Sequence, residues 1–178
     1  VIDKYYKNSK EFKNLKIINT GISTQTGGRI LKLKKILNND ENFFMTYGDG
    51  VCNINLKKLL NFHLRNKKIA TVTAVRPPVK FGEMKIGKNK IVNSFMEKPK
   101  LNSGWINGGF FVFNKRFFQF IENDDNTVLE ASPLERVTDK GELMAFKHDG
   151  FWQCMDTPRD KDLLEKLSKE SNKYPWLQ

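Results

Sequence analysis

Apolar positions along the chain fall into short runs whose spacing switches between that of strands and that of helices. Leu15-Lys16-Ile17-Ile18 predicts a short strand. Ile30, Leu31, Leu33, Ile36 and Leu37 recur at helical spacing behind Gly27-Gly28. Phe43-Phe44-Met45-Thr46-Tyr47 predicts a buried strand that stops at the turn Gly48-Asp49-Gly50. Asn55 is placed to cap a helix to about Arg65, with Leu56, Leu59, Leu60 and Leu64 on its apolar side. From Ile69 to Val75 β-branched residues dominate, and Pro77-Pro78 ends the run.

Between Phe81 and Phe113 the pattern becomes strands joined by Gly and Asn turns: Glu83 to Ile86, Lys90 to Phe95, and Ile106 to Phe113. Helices resume after Asn114. Ser132-Pro133-Leu134-Glu135 reads as a capping box with proline in the first turn. Leu143 to Lys147 and Phe151 to Met155 read as strands, and Thr157-Pro158-Arg159-Asp160 opens a last helix to about Lys169. Alternating strands and helices with a small β-rich insertion predict one α/β domain of three layers around a mixed sheet.

Composition narrows the class. The chain has 178 residues, 39% hydrophobic and 29% charged, which suits a soluble globular domain. No apolar stretch approaches the roughly 20 residues that span a bilayer. Val1-Ile2-Asp3-Lys4-Tyr5-Tyr6 is not a signal peptide and reads like the middle of a helix, so the chain is expected to begin inside a longer protein. The net charge of +11 raises nucleic acid as a partner. Arg29, Arg65, Arg76, Arg116, Arg136 and Arg159 are all the arginines among 31 basic residues, however, and nucleic-acid readers lean on the guanidinium fork. The lysines are scattered over predicted solvent faces, so no nucleic-acid partner is expected, while a phosphate-rich substrate stays compatible with the charge. Cys52 and Cys154 have no Cys-x-x-Cys spacing, and His63 and His148 complete no ligand set with them. Neither a zinc site nor a disulfide framework is expected, and the compartment is read as cytoplasmic.

Five segments carry candidate chemistry. Asp49 sits at the carboxyl end of a buried strand, where open α/β sheets place ligands, between glycines that permit close approach or unusual dihedrals. Taken alone, an ordinary Asp-Gly turn is the favoured explanation; the apolar strand in front, followed by no obvious hairpin partner, tilts the reading toward a site. Asp156 ends another strand just before a capped helix; Thr157 already suits the cap, which leaves the Asp156 carboxylate for other work. Two such carboxylates would suit a hard cation. Thr24-Gln25-Thr26-Gly27-Gly28-Arg29, at a helix entrance, offers backbone N–H groups, hydroxyls and a guanidinium. Glu97-Lys98-Pro99 is either a solvated surface pair or a lysine aimed at a phosphate. Asn107-Gly108-Gly109 heads an aromatic strand, where glycines mark a bulge or close backbone approach. Phe117, Phe118 and Phe120 are read as core, Trp152 as either core or site, and the histidines as structural or exposed.

Taken in order, these segments resemble the sugar-1-phosphate nucleotidyltransferase family. Thr20-Gly21 with Thr26-Gly27-Gly28-Arg29, Thr46-Tyr47-Gly48-Asp49-Gly50, Glu97-Lys98-Pro99-Lys100 and Ile106-Asn107-Gly108-Gly109-Phe110-Phe111-Val112 carry the likeness. So do Gly141-Glu142-Leu143-Met144-Ala145-Phe146, Gly150-Phe151-Trp152-Gln153 and Met155-Asp156-Thr157. Within the family, the branch that joins CTP to glucose 1-phosphate is the most similar. The resemblance implies a Rossmann-like domain with a mainly parallel mixed sheet, and release of pyrophosphate as a nucleotide sugar forms. That product would serve dideoxysugar synthesis for bacterial surface polysaccharide (O antigen, lipopolysaccharide). It further implies magnesium held by Asp49 and Asp156, nucleotide contacts from Thr24, Arg29 and Gly48, and catalytic roles for Lys98 and Arg29. Glu97 and Lys98 would hold the sugar and its phosphate, with Asn107 and Gly108 on the sugar side, in a homo-oligomer when full length. The family's first strand and its Gly-Gly-x-Gly-Thr-Arg loop have no counterpart in the sequence. The chain is therefore expected to be inactive or poorly active as it stands, with a sheet edge open where that strand belongs.

Overall fold

The computed structural model describes residues 5–6, 14–37, 39–77, 82–96, 104–170 and 174–177. Among them run α1 (Thr26–Lys32), α2 (Lys34–Leu37), β1 (Asn42–Thr46), β2 (Gly50–Cys52), α3 (Leu56–Asn66) and β3 (Ala70–Val75). β4 (Glu83–Ile86), β5 (Val92–Met96), β6 (Ile106–Asn114), α4 (Ser132–Asp139), β7 (Leu143–His148), β8 (Trp152–Cys154) and α5 (Pro158–Glu170) follow.

β6 organises the sheet. Its central residues alternate between two cores, as side chains on a strand must. Phe111 and Phe113 join Phe43, Phe117, Phe118, Leu129, Val137 and Ile30, under α1, α4 and the 3-10 turn Lys115–Phe120. Val112 and Phe110 face Leu59 and Leu60 of α3 on the other side. The result is the expected three-layer α/β arrangement, and the three aromatic residues after Asn114 are core.

The sheet order is β1-β6-β3-β7, with β6 antiparallel to both neighbours and β3 parallel to β7. The sheet is mixed, as expected, but not mainly parallel in its pairings. β1, β3 and β7 do share a direction; β6 lies between β1 and β3, so only the β3–β7 pairing is parallel among the described strands. The β-rich insertion is the β4–β5 hairpin, a separate two-stranded ribbon.

Several local expectations are corrected. Leu15 to Ile18 is not a strand: among the described residues nothing pairs with it, and Leu15 and Ile17 stay exposed. The first helix starts earlier than its apolar spacing predicts and breaks at Leu33, so Gly27 and Gly28 lie inside α1. A Cβ on Gly27 would sit 2.8 Å from Thr127, and one on Gly28 2.9 Å from Thr24, so glycine is required by packing. Ser132 is the first helical residue of α4 and makes no side-chain cap; the chain enters instead through backbone bonds such as Leu134 N–H to the Leu129 carbonyl. The caps at Asn55 and Thr157 form as expected: Asn55 accepts from Lys58 N–H at 2.9 Å. Thr157 and Asp160 bond reciprocally, with Thr157 N–H donating to Asp160 Oδ2 at 3.1 Å and Asp160 N–H to Thr157 Oγ1 at 3.3 Å.

His63 is buried between Thr71 Oγ1, 2.9 Å from Nδ1, and Asn42 Oδ1, 3.1 Å from Nε2. Asn42 Oδ1 also accepts from Asn114 Nδ2, so it faces His63 as an acceptor, which makes Nε2 the protonated nitrogen and leaves Nδ1 to accept from Thr71. Burial, and then the charge of Arg116, lower the imidazole pKa. Because the folded state favours neutral His63, the unfolded chain binds the extra proton first on acidification, through about pH 6.5. Stability from this group is therefore full above that pH and is lost as pH falls toward the lower folded value. Urea midpoints are expected to drop from pH 7.5 to 5.5, and His63→Gln should flatten that drop; an unchanged slope in the variant would refute the assignment.

Candidate active site

β1, β3 and β7 all end on the side of the sheet where β6 begins, because β6 runs against them. After Thr46 the chain leaves the sheet through Gly48-Asp49 and forms β2, which pairs antiparallel with β8: Gly50 faces Cys154 and Cys52 faces Trp152. One further bond continues the ladder, with Met155 N–H donating to the Asp49 carbonyl at 2.8 Å. The strand after Asp49 thus does have a partner, about 100 residues on, and that pairing brings Asp49 beside Met155-Asp156. Both carboxylates are exposed at one end of the same ribbon. Thr157 and Asp160 make the cap of α5 between them, so Asp156 is free of that duty, and its carboxylate accepts from Cys154 Sγ at 3.1 Å.

The ribbon is fixed to the sheet. Trp152 Nε1–H donates to the Gly108 carbonyl at 2.8 Å, and Gln153 Nε2 reaches buried Asp160 at 3.3 Å. Trp152 is therefore an anchor between β8 and β6. The glycines beside Asp49 adopt no left-handed backbone, contrary to one expectation; a Cβ on Gly48 or Gly50 would meet nothing within 4 Å.

A second network lies at the head of β6. Here the ladder to β3 skips residues, Val72 facing Phe111 and Ala74 facing Asn107, so Gly108, Gly109 and Phe110 form the bulge. Both meanings expected of these glycines are realised. Gly109 has φ +78°, and a Cβ there would lie 2.6 Å from the Tyr47 ring; one on Gly108 would lie 2.7 Å from Val75. Asn107 Oδ1 accepts from Gly109 N–H at 2.9 Å, and its Nδ2 donates to Tyr47 Oη at 3.0 Å. The Tyr47 hydroxyl donates to Glu130, whose other oxygen accepts from Thr26 Oγ1 at 2.9 Å. Burial, and next the Glu130 carboxylate, push the Tyr47 phenol above its ordinary pKa range, which keeps it a donor.

The Thr24–Arg29 segment behaves differently from the expectation of free donors. The N–H groups of Gly27 and Gly28 donate to the Thr127 carbonyl at 2.9 and 3.2 Å. Thr24 is buried, its hydroxyl donating to the Thr20 carbonyl at 2.6 Å and accepting from Lys32 Nζ at 2.9 Å. Arg29 is exposed and clamps the loop through Thr20 Oγ1 at 2.6 Å. The contact from this segment to the head of β6 comes through Thr26 and Glu130. Glu97 and Lys98 lie outside the described residues. Neither Glu130 nor Tyr47 stands out in the sequence as a site group; Glu130 precedes a helix start like many surface acids, and only the fold puts it against Tyr47.

The donor set can be compared with a metal. Among the described residues no three His, Cys, Asp or Glu side chains gather into a cage. Two exposed carboxylates fit magnesium, which keeps waters and takes one or two carboxylates plus substrate phosphates.

The family model for nucleotidyl transferases matches residues 1–172. The chain belongs to this family. Glucose-1-phosphate cytidylyltransferase of Salmonella typhimurium is 47% identical over 163 residues, covering 92% of this chain and 62% of the relative. The chain thus spans about three fifths of that nucleotidyl transferase's length. Drosophila melanogaster mannose-1-phosphate guanylyltransferase catalytic subunit beta is 33% identical over 139 residues, 76% of this chain and 37% of its own. Among solved structures, HddC from Yersinia pseudotuberculosis complexed with GMP-PN matches with TM-score 0.68 at 24% identity, over 93% of this chain and 72% of that one. That likeness supports the nucleotidyl transferase fold.

Gly109→Ala tests the bulge. The left-handed backbone and the Tyr47 ring both oppose a methyl group, so a loss of about 1–3 kcal/mol is expected in chemical denaturation. A variant as stable as wild type would show that the bulge is not constrained.

Proposed function

We propose that the protein transfers the cytidylyl group of CTP to the phosphate of α-D-glucose 1-phosphate, giving CDP-glucose and pyrophosphate. Two lines support it: 47% identity to the Salmonella cytidylyltransferase, and the backbone bond from Met155 N–H to the Asp49 carbonyl that closes two carboxylates onto one ribbon end. The latter is the observation that carries the chemistry.

The sugar phosphate is an anion at neutral pH, so no base is required. Its phosphate oxygen attacks the α-phosphorus of CTP, and the bond from that phosphorus to the bridging oxygen breaks. The electron pair leaves with pyrophosphate. Catalysis is then mainly alignment and neutralisation of charge. Asp49 and Asp156 would hold magnesium, which, when bound, polarises phosphoryl oxygens. Arg29 is assigned to the nucleotide with Thr24 and Gly48. Thr24 would then act by shaping the loop that Arg29 clamps, since its own hydroxyl is engaged. Asn107 and Gly108 take the sugar side; there Asn107 is fixed by Tyr47 and Gly109 N–H. Glu97 and Lys98 are assigned to the sugar and its phosphate. A homo-oligomer in the cytoplasm, supplying dideoxysugar synthesis for surface polysaccharide, completes the reading.

Pyrophosphate release should be assayed with glucose 1-phosphate and each of CTP, UTP, dTTP and GTP, on a protein extended to the length of the curated relatives. CTP is expected to dominate, and dominance of another nucleotide would overturn the cytidylyl assignment. In the same protein Asp49→Asn and Asp156→Asn should each lower turnover by about 10²–10³. Because both carboxylates are exposed, the thermal midpoint should barely move. Full activity in either variant would remove that residue from the reaction.

A further inference from the structure

Where β3 and β7 end, two cations share one aromatic ring. The Arg76 guanidinium carbon lies 4.7 Å, and Lys147 Nζ 5.2 Å, from the centre of the Trp105 indole. The register explains why they meet. Ala74 faces Lys147 on β7 and Asn107 on β6, so these three share a face of the sheet. Arg76 directly follows β3 and Trp105 directly precedes β6, so both are delivered to this end of the sheet. Ala74 is buried and contributes only a methyl group, so the polar groups on this part of the face are Asn107 on one side and Lys147 on the other.

Two positive groups over one ring repel each other, and an acid commonly accompanies them. Here none does: among the described residues the ion pairs join Lys32, Lys68, Lys115, Arg136, Lys161 and Lys166 to acids, and neither Arg76 nor Lys147. The indole face offsets part of the repulsion. It gives no hydrogen-bond acceptor to the guanidinium, and Arg76 Nε is buried without a hydrogen-bond partner. A buried N–H donor with no acceptor is uncommon and calls for a partner that the chain itself does not provide. An oxyanion would meet both needs, taking charge from the ammonium and hydrogen bonds from the guanidinium fork.

We propose that Arg76 and Lys147, stacked on Trp105, form a phosphate-binding subsite beside Asn107. This rests on the transferase reading for its ligand class, the phosphate of a sugar phosphate or of a nucleotide. The side of the site that Asn107 occupies favours the sugar phosphate.

Calorimetry on the 178-residue chain with α-D-glucose 1-phosphate, CTP and inorganic phosphate tests it, alongside Lys147→Gln, Arg76→Gln and Arg76→Lys. Lys147 is exposed, so its variant is expected to fold, and circular dichroism checks all three. Lys147→Gln and Arg76→Gln should each weaken glucose 1-phosphate binding about tenfold and flatten its salt dependence, with Arg76→Lys intermediate. If CTP binding falls instead, the subsite stands and its phosphate belongs to the nucleotide. Unchanged binding of every phosphate compound in folded variants overturns the proposal, as does a wild-type chain that binds none of them. The pyrophosphate assay judges the transferase reading separately. A protein that makes no CDP-glucose yet binds phosphate through Arg76 and Lys147 refutes that reading and keeps the subsite. A CTP-active protein whose phosphate binding ignores both substitutions does the reverse.

Discussion

β6 is the constraint on which the remaining geometry rests. Phe111, Val112 and Phe113 are fully buried in succession, possible only because the strand has hydrogen-bonded neighbours on both edges and a hydrophobic core on both faces. Ring stacking continues from Phe111 through Phe113 to Phe117, tying the strand to the 3-10 turn after it. Because β6 opposes β1 and β3 in direction, its first residues arrive where those strands finish. Asn107 and Gly108 therefore share an end of the sheet with Tyr47, Arg76 and the exit toward Asp49. A parallel β6 would have carried its buried carboxyl end there instead.

The carboxylate pair depends on this strand at one remove. β2 and β8 make a ribbon of three paired positions, too short to hold a defined place without support. Its support is the Trp152 indole bond to the Gly108 carbonyl, made across the bulge. The same bulge turns Gly109 against Tyr47 and lets Asn107 reach the phenol. Relaxing the bulge would loosen both the ribbon that carries Asp49 and Asp156 and the network that runs to Glu130. That common dependence accounts for the need for two consecutive glycines at a point where the strand is otherwise aromatic.

Local patterning made most elements legible: the strands at Phe43, Ile69 and Leu143, the Asn55 and Thr157 caps, and the aromatic core after Asn114 all follow from spacing and side-chain chemistry. Leu15 to Ile18 shows the limit, since an apolar run becomes a strand only with a partner ladder, and a partner is not written locally. Gly27 and Gly28 read as lying ahead of the helix because glycine is a poor helix former, whereas here residues 124–127 come too close for any side chain. Asp49 and Asp156 were legible as strand-end carboxylates. Their meeting was not, because it depends on the β2–β8 pairing across the whole domain. Glu130 and the Arg76–Trp105–Lys147 stack were invisible for the same reason: each residue is unremarkable until distant strands set them side by side.

Charge shows the difference between composition and placement most clearly. A net charge of +11 carries little by itself, because it does not say which basic groups are balanced locally, as Lys32 is by Asp125 and Lys115 by Glu41. Such exposed pairs contribute little and point to no ligand. The informative charges are those left unbalanced at the end of the sheet. Asp49 and Asp156 present negative charge on the ribbon, and Arg76 with Lys147 presents positive charge over the Trp105 ring. Opposite signs at one end of the sheet suit substrates that bring both a bound cation and phosphate oxygens. Pairing within the protein would have stabilised the free chain and left such substrates nothing to complete.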